Sequence, residues 1–286
     1  MEILSSNRDL AALVAEQRQA GKSIGFVPTM GALHAGHASL INKSKSETDF
    51  TVCSIFVNPT QFNDAADFER YPRTTDSDIA VLKKHCCDVL FLPTVSEIYP
   101  DPTAPTPEFD FGYWDKPMEG AFRPGHFKGM AQVVKRLLEI VQPDCLVMGQ
   151  KDYQQLMIVR RLLAITALPV RLLMGETLRE PDGLAMSSRN VRLTPDDRQR
   201  AIQLFHSLCW AKDNFEKHSI NELKNQALQQ LSNIEGIKPE YFEVVDADTL
   251  QPIQRHNDCP NIIALVAAFL GTVRLIDNLF IRQSEA

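Results

Sequence analysis

Short apolar runs and stretches of helical spacing trade places regularly through the first part of the chain, and few architectures accommodate that alternation. Helical spacing over residues 10–18 is followed by Ser23-Ile24-Gly25-Phe26-Val27-Pro28, a compact apolar strand ended by proline. A turn containing Gly31 leads to a helix beginning near Gly36 and running through Leu40 and Ile41. Residues 50–57 form a second strand that is apolar on both faces, the pattern of a parallel sheet covered by helices. Ile79, Leu82 and Lys83 restore helical spacing, and residues 89–92 make a third strand. A helix over 131–141, a strand over 145–148, a helix over 153–163 and a strand over 170–174 continue the series. The expected fold is therefore α/β, a Rossmann-like doubly wound parallel sheet. The proline-rich residues 101–107 read as an exposed loop.

Beyond Leu193 the texture changes. Thr194-Pro195 places an N-cap and a first-turn proline at the head of a long helix, and Ser219-Ile220-Asn221-Glu222 is a capping box opening another. Strand-like segments follow at 241–245, 262–268 and 273–276. Two helices and three strands in that order give a second, smaller α+β domain. The division predicted is residues 1–180 for the Rossmann-like domain and 181–286 for a C-terminal lid domain.

A chain of 286 residues that is 44% hydrophobic can bury its core without disulfide or metal staples. The six cysteines are scattered with no Cys-x-x-Cys pair, which suits free thiols in a reducing compartment. His85-Cys86-Cys87 lacks a second ligand pair and reads as a helix end. A net charge of −6 argues against a nucleic-acid partner. Residues 262–270, the most apolar run, cover about half of the ~20 residues a membrane helix needs, and the N-terminus lacks a signal peptide's apolar stretch. The expectation is a cytoplasmic protein with no membrane partner.

Four polar clusters fall at the carboxyl ends of the expected strands or at the domain hinge, where α/β sheets bind ligands. The first is Pro28-Thr29-Met30-Gly31-Ala32-Leu33-His34-Ala35-Gly36-His37. Its glycines admit a phosphate to the backbone, the helix start offers unpaired N–H groups, and two imidazoles three residues apart suit a triphosphate as charge-assisted donors. The second is Asp182-Gly183-Leu184-Ala185-Met186-Ser187-Ser188-Arg189-Asn190, with hydroxyl donors and a permanent cation. Taken alone, that stretch is equally a polar linker. The third is Met148-Gly149-Gln150-Lys151-Asp152-Tyr153-Gln154-Gln155, where Lys151 is a point charge for a phosphate, Asp152 a helix cap, and Gln155 an amide one turn into the helix. The fourth is Phe56-Val57-Asn58-Pro59-Thr60-Gln61-Phe62, whose Asn58 and Gln61 suit a substrate hydroxyl and carboxylate; Arg123 and His126 add a cation and an imidazole near a helix start.

With these residues in view, the chain resembles the pantothenate synthetase family of the His-x-Gly-His nucleotidylyltransferase superfamily. The likeness runs through residues 28–37, 54–62 and 70–74 (Arg-Tyr-Pro-Arg-Thr), then 123–127 (Arg-Pro-Gly-His-Phe), 149–155, 187–190 and 274–278 (Arg-Leu-Ile-Asp-Asn). The resemblance implies ATP-dependent condensation of pantoate with β-alanine through a pantoyl adenylate. It implies an ATP site formed by Met30, Gly31, Ala32, Leu33, His34, Ala35, Gly36 and His37, by Gly149, Gln150, Lys151 and Asp152, and by Leu178, Met186, Ser187, Ser188 and Arg189. His37 would be the proton donor, with His34, Lys151 and Arg189 sharing the catalytic charge. Gln61 and Gln155 would hold pantoate, with Gln61 also near β-alanine. Mg²⁺ accompanying ATP and a homodimer are implied as well. The serine loop carries no lysine where related tRNA synthetases have one, so its charge rests on Arg189. No protein ligand for Mg²⁺ is assigned; Asp76 and Asp78 are candidates that read better as exposed helix-start carboxylates. The alternatives are another nucleotidylyltransferase, an RNA-binding relative of tRNA synthetases, or a catalytically silent scaffold.

Overall fold

The computed structural model describes residues 1–101, 103 and 107–284. The irregular loop expected over 101–107 falls largely outside the described residues. In chain order the elements are β1 (Glu2–Leu4), α1 (Asn7–Gln19), β2 (Ile24–Thr29), α2 (Ala35–Glu47), β3 (Phe50–Ile55), α3 (Ala65–Glu69), α4 (Thr75–Lys84), β4 (Val89–Phe91) and α5 (Val95–Ile98). They continue with α6 (Glu119–Phe122), α7 (His126–Val141), β5 (Cys145–Gly149), α8 (Tyr153–Thr166) and β6 (Arg171–Gly175). The last five are α9 (Pro195–Asp213), α10 (Ile220–Ser232), β7 (Ile237–Asp246), β8 (Ile262–Leu270) and β9 (Val273–Arg282).

These elements gather into two compact units. The first comprises Met1–Asp115, Arg123–Gln150 and Gln155–Glu176; the second comprises Lys116–Phe122, Lys151–Gln154 and Thr177–Ala286. The first unit holds a six-stranded sheet in the order β1-β4-β3-β2-β5-β6, and each pairing in it is parallel. Strand order runs outward from β2 to β3 and β4 on one side and from β5 to β6 on the other. The connections therefore reverse direction between β2 and β5, the switch point where such sheets open a crevice. β1 is an addition to the sequence reading. Its three residues pair with β4 at the sheet edge, too short a run to show any period.

Every residue of β3 is buried, which accounts for its apolar character on both faces. One face of the sheet presents Val27, Cys53, Leu90 and Val147 to Leu40 and Ile41 of α2 and Leu82 of α4. The intervening residues Phe26, Val52, Phe91 and Leu146 are equally buried on the opposite face. Near the carboxyl end of β3, α7 closes onto the short 3₁₀ turn Pro59–Gln61. A Cβ built on Gly129 would lie 2.1 Å from the Thr60 carbonyl oxygen and 2.9 Å from the Gln61 nitrogen.

The second unit is α+β: an antiparallel sheet in the order β7-β8-β9, with α9 and α10 packed against it around Leu204, Leu208, Leu223 and Leu231. Thr194 and Ser219 cap these helices as the sequence indicates, with Pro195 in the first turn of α9 and Glu222 completing the box of α10. Arg274 ties a distant segment to this sheet. Its guanidinium forms a bidentate pair with Glu119 of α6 (2.8 and 2.7 Å) and a further bond to Glu240 (2.6 Å). Tyr241 donates its hydroxyl to the same Glu119 carboxylate at 2.8 Å, and burial pushes the Tyr241 phenol well above its ordinary value, so it stays a donor. The Glu119 amide donates in turn to Gln154 Oε1 (3.0 Å), while Gln154 Nε2 donates to the Pro117 carbonyl (2.9 Å).

Replacing Gly129 with alanine forces a methyl group into main chain that no rotamer change can relieve. The expected loss is about 1–3 kcal/mol, read as a lower urea midpoint at unchanged slope.

Candidate active site

The first unit places the histidine cluster directly past β2, at the switch point. The turn into α2 passes through two successive left-handed residues, Gly31 (φ 81°) and Ala32 (φ 51°), a conformation an alanine adopts only when its surroundings hold it there. The holding group is Asp78 of α4. Its Oδ2 accepts from the Ala32 amide at 3.0 Å, and its Oδ1 from the Leu33 amide at 2.7 Å and the Thr74 hydroxyl at 3.1 Å. This carboxylate is 1% exposed. Asp78 is thus not the exposed helix-start residue its sequence position suggests. Asp76 is exposed, as expected.

His34 is the N-cap of α2 and His37 its third residue, and together they form a capping box made of imidazoles. His34 Nδ1 accepts from the Gly36 amide at 3.2 Å, and His37 Nδ1 accepts from the His34 amide at 3.3 Å. A ring nitrogen that accepts carries no proton, so in this arrangement each neutral ring bears its proton on Nε2. The ring centroids lie 4.1 Å apart at 44°. Two Nε2–H donors therefore sit side by side on a helix N-terminus, whose dipole adds to their pull on an anion. Protonating either Nδ1 would break the corresponding cap hydrogen bond.

Past β3, Asn58 is 1% exposed and its amide is engaged within the protein. Oδ1 accepts from the Thr60 hydroxyl (3.1 Å) and the Tyr99 hydroxyl (3.0 Å); Nδ2 donates to Gln61 Oε1 (3.2 Å) and the Gly129 carbonyl (3.3 Å). Burial pushes the Tyr99 phenol up, which keeps it a donor to Asn58. With Oε1 of Gln61 held by Asn58, its Nε2 is directed to Met30 Sδ at 3.0 Å, at the head of the histidine loop. Gln61 is therefore presented as a donor, and Asn58 is the residue that orients it. His126 is buried and supports the same turn. Arg123 can only donate to its Nε2 (3.2 Å), so Nδ1 carries the proton and donates to the Gln61 carbonyl (2.9 Å). Gly149 ends β5 beside this crevice, and Gln155 lies half-buried in α8.

The second unit carries Lys151, Asp152 and the residues from Leu178 to Arg189, while Gln150 belongs to the first. Gln150–Asp152 is a 3₁₀ turn leading into α8, and the Lys151 carbonyl accepts from Asn278 Nδ2 at 2.8 Å. Arg179 and Ala185 pair as an antiparallel bridge, and the Met186 amide donates to the Leu178 carbonyl at 3.0 Å. Ser187 orders the next turn, its hydroxyl accepting from the Arg189 amide (3.3 Å) and its carbonyl from the Asn190 amide (3.0 Å). Leu178 is 41% exposed, unusual for a leucine beside an ordered hairpin. Asp277 pairs with Arg179; burial pushes its carboxyl up, and the guanidinium draws it back toward the charged form.

This arrangement coincides with a known family. The family model described as pantoate-beta-alanine ligase matches residues 2–280. The chain belongs to the pantoate–β-alanine ligase family. A pantothenate synthetase of Bacteroides thetaiotaomicron is 42% identical over 279 residues, covering 98% of each chain. Among solved structures, the pantothenate synthetase of Thermus thermophilus aligns with a TM-score of 0.92 at 38% identity, over 99% of this chain and 100% of that one. The pantoate-β-alanine ligase of Francisella tularensis, complexed with beta-gamma ATP and β-alanine, aligns with a TM-score of 0.82 at 36% identity over 99% of each. The ligase fold expected from the sequence is the fold observed. The hold of Asp78 on the histidine loop and of Asp277 and Asn278 on Arg179 and Lys151 is what residue reading missed. The loop amides, Arg179 and Lys151 lie 45 to 127 positions from them along the chain, so no local pattern marks them.

Asp78→Asn leaves one acceptor oxygen where two loop amides need acceptors. The expected cost is about 1–3 kcal/mol for the amide left unpaired in a buried site, measured by denaturant titration.

Proposed function

We propose that this chain condenses pantoate with β-alanine at the expense of ATP. The observation that carries the reading is the pair of Nε2–H donors fixed on the α2 N-terminus at the switch point of the sheet. In the first step a pantoate carboxylate oxygen attacks the α-phosphorus of ATP. The bond to the bridging oxygen breaks, and pyrophosphate leaves with both electrons. Negative charge grows on the departing phosphates, and donors fixed beforehand stabilise it without reorganisation. His34 and His37 take this role as hydrogen-bond donors through Nε2–H, and outright proton transfer from His37 would require its imidazolium form. Lys151 and Arg189 supply permanent charge. Gly149, Gln150, Asp152, Leu178, Met186, Ser187 and Ser188 complete the nucleotide's contacts.

In the second step the neutral amine of β-alanine attacks the acyl carbon, AMP departs, and the nitrogen loses a proton. Gln61 donates to the acid through Nε2, Gln155 is its second amide ligand, and Asn58 keeps the Gln61 amide from turning over. Exclusion of water protects the acyl adenylate while it waits. Mg²⁺ enters as the counter-ion of the ATP phosphates. Both Asp78 oxygens are committed to protein donors, so Asp78 would not serve as the metal's ligand, and the ion would supply positive charge against the phosphates. A cytoplasmic homodimer without a nucleic-acid partner completes the proposal. The acidic charge balance supports the last point, and among the described residues no helix is long and apolar enough to cross a membrane.

The test is pantoate-dependent ATP–pyrophosphate exchange, followed by AMP release on adding β-alanine. A nucleotidylyltransferase of another kind gives no β-alanine-dependent AMP. His37→Ala is expected to slow exchange by about 10²–10³-fold and to cost about 1 kcal/mol of stability through the weakened cap. Near-normal exchange by a folded variant would remove His37 from the mechanism.

A further inference from the structure

The side chains of β9 divide their attention between two segments of the second unit that lie far apart in sequence. Asn278, 1% exposed, donates through Nδ2 to the Lys151 carbonyl at 2.8 Å. Its neighbour Asp277, 3% exposed, grips Arg179 with both oxygens at 2.7 and 3.0 Å. Arg179 spends its other donors on the Asn278 carbonyl (3.1 Å) and the Gly183 carbonyl (3.1 Å), and its guanidinium lies 3.9 Å above the Phe205 ring. That clamps the hairpin closed by the Arg179–Ala185 bridge, from which residues 186–189 emerge. The Asn278 amide closes the arrangement by donating to Asp277 Oδ1 at 2.7 Å.

A buried ion pair contributes little net stability, because desolvation offsets most of the attraction. What it does supply is a single permitted geometry. Lysine has a long, flexible stem, so the direction of its ammonium depends on how firmly its own main chain is held. Lys151 sits in a 3₁₀ turn, and its carbonyl is fixed by Asn278. We propose that Asp277 and Asn278 are positioning residues for the adenylation step, one aiming residues 186–189 at the nucleotide and the other aiming Lys151. The proposal rests on the reading of those groups as nucleotide ligands given above.

A four-protein cycle separates the two. Pantoate-dependent ATP–pyrophosphate exchange is measured for the unmodified protein, Lys151→Ala, Asn278→Ala and the double variant, each with a thermal melt to confirm folding. Lys151→Ala and Asn278→Ala are each expected to slow exchange roughly ten- to hundred-fold. The double variant is expected to match Lys151→Ala within about two-fold, because the Asn278 effect passes through Lys151. Effects that multiply in the double variant overturn the proposal and leave the functional reading standing. Lys151→Ala at the unmodified rate overturns both. Should Asn278→Ala not fold, Asn278→Ser takes its place in the same cycle. For the other arm, Asp277→Asn is expected to raise KM for ATP at least several-fold while KM for β-alanine stays within about two-fold; an equal rise in both overturns the assignment.

Discussion

The hydrogen-bonded ladder that seats β2 between β3 and β5 governs the rest of the first unit. Because each pairing is parallel, the carboxyl ends of these strands lie on one edge. Because connections leave β2 and β5 in opposite directions, no crossover covers the gap between them. The histidine loop, the Asn58–Gln61 turn and Gly149 are all consequences of that register. Each begins where a strand runs out of partners, and each uses the backbone freedom found there.

What the strands position, buried polar groups then orient. The first unit uses neutral amides and imidazoles for this work, with the Asp78 carboxylate beneath the histidine loop. Asn58 and His126 are as buried as core leucines, yet each donates and accepts with defined geometry. A buried polar group costs free energy unless its bonds are made, so each such group admits few alternative arrangements. The residues that meet substrate in the proposed chemistry, His34, His37 and Gln61, inherit their orientation from these neighbours.

Much of this was legible in the sequence, and the parts that were not share a cause. The alternation of strands and helices, the caps at Thr194 and Ser219 and the His-x-Gly-His turn are local patterns, and the structure repeats them with boundaries shifted by a few residues. The role of Asp78 was hidden because a carboxylate in the first turn of a helix is usually solvated, and only the fold brings the Ala32 and Leu33 amides above it. The sequence offers Asn58 to the substrate, whereas the structure gives its amide to Gln61 and Gly129. The histidines announce a helix start, but the tautomer they adopt depends on which ring nitrogen faces the backbone, and spacing is silent on that.

The contact between Gln61 Nε2 and the Met30 thioether has a consequence of its own. Sulfur is among the weakest acceptors a protein offers, so the amide hydrogen rests there without being strongly held. In the proposed reaction an arriving carboxylate would outbid it at little cost. The Gln61 donor is thus only lightly occupied by the thioether. An oxygen added to that sulfur would turn a loose resting place into a firm one, leaving the amide tethered when the acid arrives.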